Sequence, residues 1–186
     1  MADTYQTIES LSEGLYKDKG SKFMAFAMPV GSVDEVKEQV GNYRREYYDA
    51  RHVCYAYMLG ADKDQWRAND DGEPSGTAGR PILGQINSYG LTNILVVVVR
   101  YFGGILLGTG GLTVAYKTAT ADALSKAAII TKDVTVQKTL TFPYEQLNDK
   151  MRLIKDTESR IISQEFGADE CKIECEVKKV YESRFQ

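Results

Sequence analysis

The chain has a single histidine, one tryptophan and three cysteines among its 186 residues. One histidine excludes a zinc site built on two histidines, and three cysteines cannot all pair within the chain. No apolar run approaches the about 20 residues of a membrane-spanning helix, and no basic and apolar leader opens the sequence. The default expectation is therefore a cytoplasmic location, with no membrane partner, metal or cofactor.

The charge is almost balanced, with 23 Lys and Arg against 26 Asp and Glu and a net charge of −3. Such a balance gives no overall attraction to nucleic acid, so a nucleic-acid site would have to be a local patch. The composition, 43% hydrophobic and 26% charged, is typical of a globular protein. The length is sufficient to bury a sizeable core.

Two local patterns predict structure in the first half of the chain. Ser32 with Glu35 three residues later forms a capping box, which predicts a helix at about 33–48. The segment from Ala61 to Thr77 is acidic and contains glycine, so it is expected to be a loop.

The strongest local feature is a glycine cluster that follows an apolar run. The run from Ile94 to Val99 predicts a strand buried on both faces. A helix is expected at about 110–128. A glycine loop between a strand and a helix can bring backbone N–H groups and the helix dipole to an anion. A tight turn with close helix packing is the alternative. Five of the sixteen glycines fall within nine residues here: Gly103, Gly104, Gly108, Gly110 and Gly111.

A local echo strengthens the anion interpretation. Gly76-Thr77-Ala78-Gly79 resembles Gly108-Thr109-Gly110-Gly111, and each precedes or opens a predicted helix that its threonine could cap. If the two starts lie side by side, their N–H groups converge, and Arg80 and Arg100 could bind phosphate in bidentate fashion. Two capped helices without a ligand are the alternative. No Lys-Ser/Thr pair follows the glycines, so this is not a P-loop.

Other residues have weaker claims to a function. Asp70, Asp71 and Glu73 could hold Mg²⁺ through water, although a solvated loop is the simpler interpretation. His52 is expected to be structural, and Cys171 and Cys175, on one face of an alternating strand, to be core thiols. Aromatic residues at the strand end could stack on bases or belong to the core. The possible auxiliary residues of the anion site are Asp71, Glu73, Ser75, Tyr101 and Phe102.

Several blocks of sequence resemble the YigZ/IMPACT family. The strongest are Val99 to Leu112 and Asn69 to Leu83, and two weaker blocks are Lys19 to Phe23 and Asp49 to Cys54. The resemblance extends over about residues 4–130. Two long blocks in the order that the family has are a far more specific signal than one glycine motif.

The resemblance implies an α+β fold with two domains. The first, residues 1–131, is expected to be a two-layer α/β domain like the fourth domain of elongation factor G, with two helices on one face of a four-stranded sheet. The second, residues 132–186, is expected to be a small ferredoxin-like domain. Its β-α-β-β order lacks the last helix and strand of that pattern, so the domain is expected to be incomplete.

The resemblance establishes no catalytic residues. Eukaryotic members of the family regulate translation with an additional N-terminal domain. We therefore expect a non-enzymatic cytosolic factor that binds RNA or ribosomes through the glycine-rich cleft and modulates translation. Two alternatives stay open: an enzyme or sensor for a small phosphorylated ligand in the same cleft, and a protein-interaction adaptor.

Overall fold

A computed structural model describes residues 2–186, which form two compact units. One unit comprises residues 5–132 and the other residues 133–186 together with 2–4. Within residues 2–186, no helix combines the length and hydropathy needed to cross a membrane. The elements in chain order are β1 Thr4–Ile8, β2 Ser12–Asp18, β3 Ser21–Pro29, α1 Val33–Glu46, β4 His52–Leu59, β5 Gln65–Asn69, α2 Gly79–Ser88, β6 Ile94–Tyr101, α3 Gly108–Ser125, β7 Ile129–Asp133, β8 Thr135–Pro143, α4 Leu147–Asp156, β9 Arg160–Phe166 and β10 Glu170–Lys178.

The first unit is built on a five-stranded antiparallel sheet with the order β2-β3-β6-β4-β5. The central strand β6 is buried from Ile94 to Arg100, which confirms the strand predicted from its apolar run. Successive side chains of a strand point to opposite faces. Val96 and Val98 therefore join the core under α2 and α3, while Val97 and Val99 join the core under α1.

The predicted α+β fold class is confirmed, but the first unit has one more strand and one more covering helix than expected. The sheet has one strand more than the four expected, and α1 packs on the face opposite α2 and α3. Helix α1 begins at the predicted capping box, where Ser32 Oγ accepts the Glu35 N–H at 3.1 Å. Helix α3 lies against β2 so closely that a Cβ on Gly14 would meet the Ala123 backbone within 3.0 Å.

Strand β5 interrupts a segment expected to be a loop from Ala61 to Thr77. The strand lies at the edge of the sheet, and its first three side chains are exposed. The segment does alternate polar residues with Trp66 and Ala68, but the alternation spans only five residues inside an acidic, glycine-containing stretch. The prediction of a continuous loop was wrong here.

The second unit contains a three-stranded antiparallel sheet with the order β8-β10-β9 and the expected β-α-β-β sequence of elements. Cys171 and Cys175 are fully buried with Ile173 and Val177 in its core, which confirms the prediction of core thiols. A short 3₁₀ helix, Lys179–Phe185, follows β10.

Candidate anion-binding site

The site is built at one end of the central strands. Arg100, near the end of β6, lies opposite His52 at the start of β4 and opposite Phe23 in β3. All three side chains point to the α2 and α3 face, because they share that register. The guanidinium of Arg100 lies 5.4 Å from the ring centre of Phe23. A cation is therefore built into the end of an apolar face.

Glu73 provides the countercharge to Arg100 from the loop after β5. Arg100 Nη1 donates to both carboxylate oxygens of Glu73 at 2.8 Å. The Tyr116 hydroxyl, on α3, donates to Glu73 Oε2 at 2.5 Å, and His52 Nε2 lies 3.1 Å from Oε1. Glu73 is buried, so its carboxylate, expected in a solvated loop, belongs to an internal network.

His52 lies between two acceptors. Its Nδ1 is 2.7 Å from the carbonyl oxygen of Asp71, and its Nε2 faces Glu73. The ring thus has orienting partners that the sequence did not reveal, and its role in the network is structural.

Cys54 and Tyr116 extend the same network. The Cys54 Sγ lies 3.1 Å from the carbonyl oxygen of Asp70 and 3.4 Å from the Tyr116 hydroxyl, and its single S–H can donate to either acceptor. Burial raises the pKa of the Cys54 thiol and of the Tyr116 hydroxyl well above their ordinary values. Both groups therefore stay neutral, and Cys54 lacks the thiolate that a nucleophile needs.

The three loop carboxylates diverge instead of converging on a cation. Asp70 accepts the N–H groups of Gly76, Ala78 and Gly79 at 2.8–3.2 Å, whereas Asp71 accepts the Val53 N–H at 2.7 Å. Within the described part of the chain, no group of three or more His, Cys, Asp or Glu residues is arranged to hold a metal ion.

The helix α2 is capped by Asp70 and not by Thr77, the residue predicted to cap it. The expectation that Thr77 caps this helix is wrong, because its hydroxyl donates to the carbonyl oxygen of Pro74 at 2.6 Å. The start of α2 already holds the Asp70 carboxylate, so the chain fills this anion position itself. Burial by itself would raise the pKa of Asp70, but the three N–H donors and the charge of Arg80 lower it below its ordinary value.

The start of α3 is different. No side chain among residues 2–186 caps it, so the expectation for Thr109 is also wrong. The first N–H groups of a helix have no partner within the helix. Gly104 and Gly108 adopt positive φ values of 88° and 73°, which explains glycine at both positions. Gly110 has neither a positive φ nor any atom within 4 Å of where a Cβ would lie.

A pocket of about 260 Å³ opens between the end of β6 and the start of α3. Five predicted site residues line it: Glu73, Arg100, Phe102, Gly108 and Thr109. It is completed by Arg51, His52, Pro74, Leu106, Leu107 and Leu112. The other predicted residues lie outside this lining: Gly76, Thr77, Gly79, Arg80, Gly103, Gly104, Gly110, Gly111, Asp71, Ser75 and Tyr101.

Local geometry explains why three of these residues lie outside the pocket. Tyr101 follows Arg100 in β6 and therefore points to the α1 face, where its hydroxyl donates to Asp49 at 2.8 Å. Gly103 packs against the turn between β2 and β3, because a Cβ there would lie within 3.0 Å of the Gly20 and Ser21 backbone. Arg80 lies beside Gly76 at the start of α2.

Two arginines give the pocket its positive charge. Arg100 is 5% exposed, and its Nε has no hydrogen-bond partner among residues 2–186. The exposed Arg51 guanidinium lies 4.8 Å from the ring centre of Phe102, which Arg100 approaches from 5.6 Å. Such cation–π contacts fix the orientation of a guanidinium.

Sequence reasoning missed Arg51, Leu106 and Tyr116 as parts of this site. Arg51 does lie in the weak block Asp49 to Cys54, which offered a signal. Tyr116 is a large polar residue among the small residues of the buried α3 face. Leu106 lies in the strong block Val99 to Leu112, but nothing in its apolar neighbourhood, between Ile105 and Leu107, distinguished it as part of a pocket.

Comparison with known proteins agrees with this fold. The family model of the Impact N-terminal domain matches residues 19–124. The IMPACT family member YigZ of Escherichia coli (strain K12) is 40% identical over 152 residues, which cover 81% of this chain and 74% of that protein. The chain therefore belongs to the IMPACT family.

A more distant relative and a solved structure extend the comparison. Protein IMPACT of Rattus norvegicus is 34% identical over 96 residues, or 49% of this chain and 30% of that protein. A crystal structure described only as that of a hypothetical protein is 33% identical, with a TM-score of 0.80. That match covers all of this chain and 90% of the other, so the fold of the two units is shared.

Proposed function

We propose that this protein is a non-enzymatic factor that binds RNA, free or within the ribosome, through the pocket at the start of α3, and that it acts in translation. The observation that carries the proposal is the uncapped start of α3 beside a buried arginine with an unpartnered Nε. Helix N-termini and arginines are the two protein groups that most readily hold phosphate oxygens.

The local charge supports an anion despite the acidic chain. Arg51 and Arg100 bring two positive charges to the pocket, and Glu73 neutralises one. The start of α3 adds the equivalent of about half a positive charge. Glu73 already holds Arg100, and the ring of Phe102 already holds Arg51. Binding of a ligand would therefore cost little side-chain entropy.

Gly110 lies outside the pocket lining but directly follows Thr109, which lines the pocket. Glycine in a helix costs about 0.5–1 kcal/mol relative to alanine, and neither φ nor packing requires it at this exposed position. Gly84 in α2 is equally open, so the support from Gly110 comes from its place at the start of α3, where a ligand would approach the backbone. Gly111 differs, because its Cβ would lie 3.1 Å from Leu107.

The chain belongs to the IMPACT family. The proposed role in translation is supported by the resemblance to that family, whose eukaryotic members regulate translation. The proposal implies a cytoplasmic location. Two groups near the pocket are poorly suited to catalysis. The Cys54 thiol is neutral, and the Glu73 carboxylate already contacts Arg100, Tyr116 and His52. The pocket is therefore better suited to holding a ligand than to reacting with it.

Sedimentation of cell lysate through sucrose at low and raised salt tests the proposal. The protein should move with ribosomes or RNA at low salt and return to the light fractions at raised salt, because phosphate contacts weaken steeply with salt. Arg51→Ala should weaken co-sedimentation. Arg67→Ala is the matched control, since Arg67 is an exposed arginine of β5 outside the pocket.

Two results would overturn the proposal. One is a protein that stays in the light fractions at low salt and shifts no RNA in gels. The other is an Arg51→Ala variant that binds RNA as well as the Arg67→Ala variant does. Stabilisation by nucleoside monophosphates without RNA binding would instead favour a small phosphorylated ligand.

A further inference from the structure

The pocket at the start of α3 has two kinds of wall. Its floor carries Arg100 with Glu73, and its mouth carries apolar side chains, among them Leu106, which is 83% exposed. We propose that this pocket holds one terminal nucleotide of a single-stranded RNA, with the end phosphate at the start of α3 and the base against the apolar mouth. This inference rests on the proposed function and narrows the ligand from RNA in general to the end of a single strand.

The size of the pocket favours a single nucleotide. Its volume of about 260 Å³ lies just below the about 300–1,000 Å³ of most small-ligand sites. Bases within an A-form duplex are paired and stacked inside the helix, so they cannot reach such a wall. An unpaired end nucleotide can enter without unstacking a neighbour on each side.

The charge of the pocket favours an end phosphate. A phosphomonoester carries about −1.5 to −2 charge near pH 7, whereas each internal phosphate of a strand carries about −1. Arg51 and Arg100 supply two positive charges to the pocket, and Glu73 supplies one negative charge. The start of α3 adds partial positive charge. The buried Arg100 Nε lacks an acceptor, and a further phosphate oxygen would supply one.

The mouth favours a flat apolar group beside that phosphate. Phe102 has one guanidinium at 4.8 Å from its ring centre and lies in the same lining as Leu106. Nucleobases stack on aromatic rings and on guanidinium planes regardless of sequence. A base placed here would cover Leu106 and leave the rest of the strand in solvent.

One short single-stranded RNA, prepared in four forms, tests the inference with the full chain. The forms carry a 5′-phosphate, a 3′-phosphate, hydroxyls at both ends, or a closed circle, and affinity is measured by fluorescence anisotropy. At least one of the two phosphorylated forms should bind about tenfold or more tightly than the hydroxyl-ended form and the circle, since neither of the latter carries a phosphomonoester. Which end is preferred reports the direction of the strand.

Equal affinity for all four forms would overturn the end-nucleotide inference and leave RNA binding intact. Failure of every form to bind would overturn the proposed function as well. The two failures are therefore distinguishable.

A matched pair of variants tests the apolar mouth. Leu106→Ala should lower affinity for the preferred phosphorylated RNA several-fold, because the base loses part of its wall. Leu11→Ala should leave it unchanged, since Leu11 is 52% exposed and lies outside the pocket lining. Unchanged melting temperatures would show that both variants fold. A Leu106→Ala variant with the affinity of the native chain would contradict the placement of the base.

Discussion

Arg100 Nη1 lies 2.8 Å from each carboxylate oxygen of Glu73, and both side chains are buried. The two residues are 27 positions apart in the chain. This pair joins the end of β6 to the loop before α2 and forms the floor of the candidate site. The site therefore depends on an internal charge pair as well as on the glycine loop.

The first prediction concerns this pair. Glu73→Gln removes the countercharge and leaves a buried cation, which typically costs about 3–5 kcal/mol of unfolding free energy. Urea unfolding followed by the fluorescence of Trp66, in β5 of the same unit, measures the loss. Glu38→Gln on the exposed side of α1 is the control and should change stability by less than about 0.5 kcal/mol. Equal stabilities for the two variants would refute the importance of the pair.

The second prediction compares two exposed helical glycines. Gly84 in α2 and Gly110 in α3 both have open space where a Cβ would lie. Gly84→Ala and Gly110→Ala should each raise the unfolding free energy by up to about 1 kcal/mol. Only Gly110→Ala should weaken RNA binding, because its methyl group would stand at the start of α3. Equal RNA affinities would remove the ligand explanation for Gly110.

The third prediction concerns close packing. Gly14→Ala places a Cβ within 3.0 Å of the Ala119 and Ala123 backbone, and overpacking of this kind typically costs about 1–3 kcal/mol. The melting temperature should fall, in contrast to the rise expected for Gly84→Ala. A neutral Gly14→Ala variant would mean that α3 can move away from β2 without cost.

The fourth prediction concerns pH. The pKa of Asp70 is lowered because three N–H donors outweigh the effect of burial. Its stabilisation is therefore complete above the unfolded pKa of about 3.9 and is lost as the pH falls through the lower folded pKa. Asp70→Asn should cost about 0.5–2 kcal/mol at pH 7, as loss of a helix cap does.

The measurement for Asp70 is the difference in unfolding free energy between the native chain and Asp70→Asn. That difference should stay constant from pH 7 to about pH 5 and shrink below about pH 4. A difference that grows as the pH falls would show that the pKa of Asp70 is raised.

Much of the fold could be predicted because its signals are local. The apolar run of β6 and the capping box of α1 each lie within a few residues, and both were confirmed. Strand β5 was missed because its alternation spans only five residues within a stretch rich in acidic residues and glycine. Helix α3 begins at Gly108, two residues before the predicted start.

The site was less predictable because its contacts are distant in sequence. Arg100 and the start of α3 were identified from the glycine loop, but the burial of Glu73 depends on Arg100 and on Tyr116, 43 residues further along the chain. Likewise, Asp70 caps α2 from nine residues before Gly79. Sequence spacing alone could not show that one predicted anion position already holds a carboxylate of the chain.

The most direct test of the central claim is an amide NMR titration of the protein with the preferred phosphorylated single-stranded RNA. The backbone N–H signals of Gly108, Thr109 and Gly110 and the Nε–H signal of Arg100 should shift together as RNA is added. Shifts confined to other surfaces, with these four signals unmoved at saturation, would contradict the claim that the start of α3 holds the phosphate.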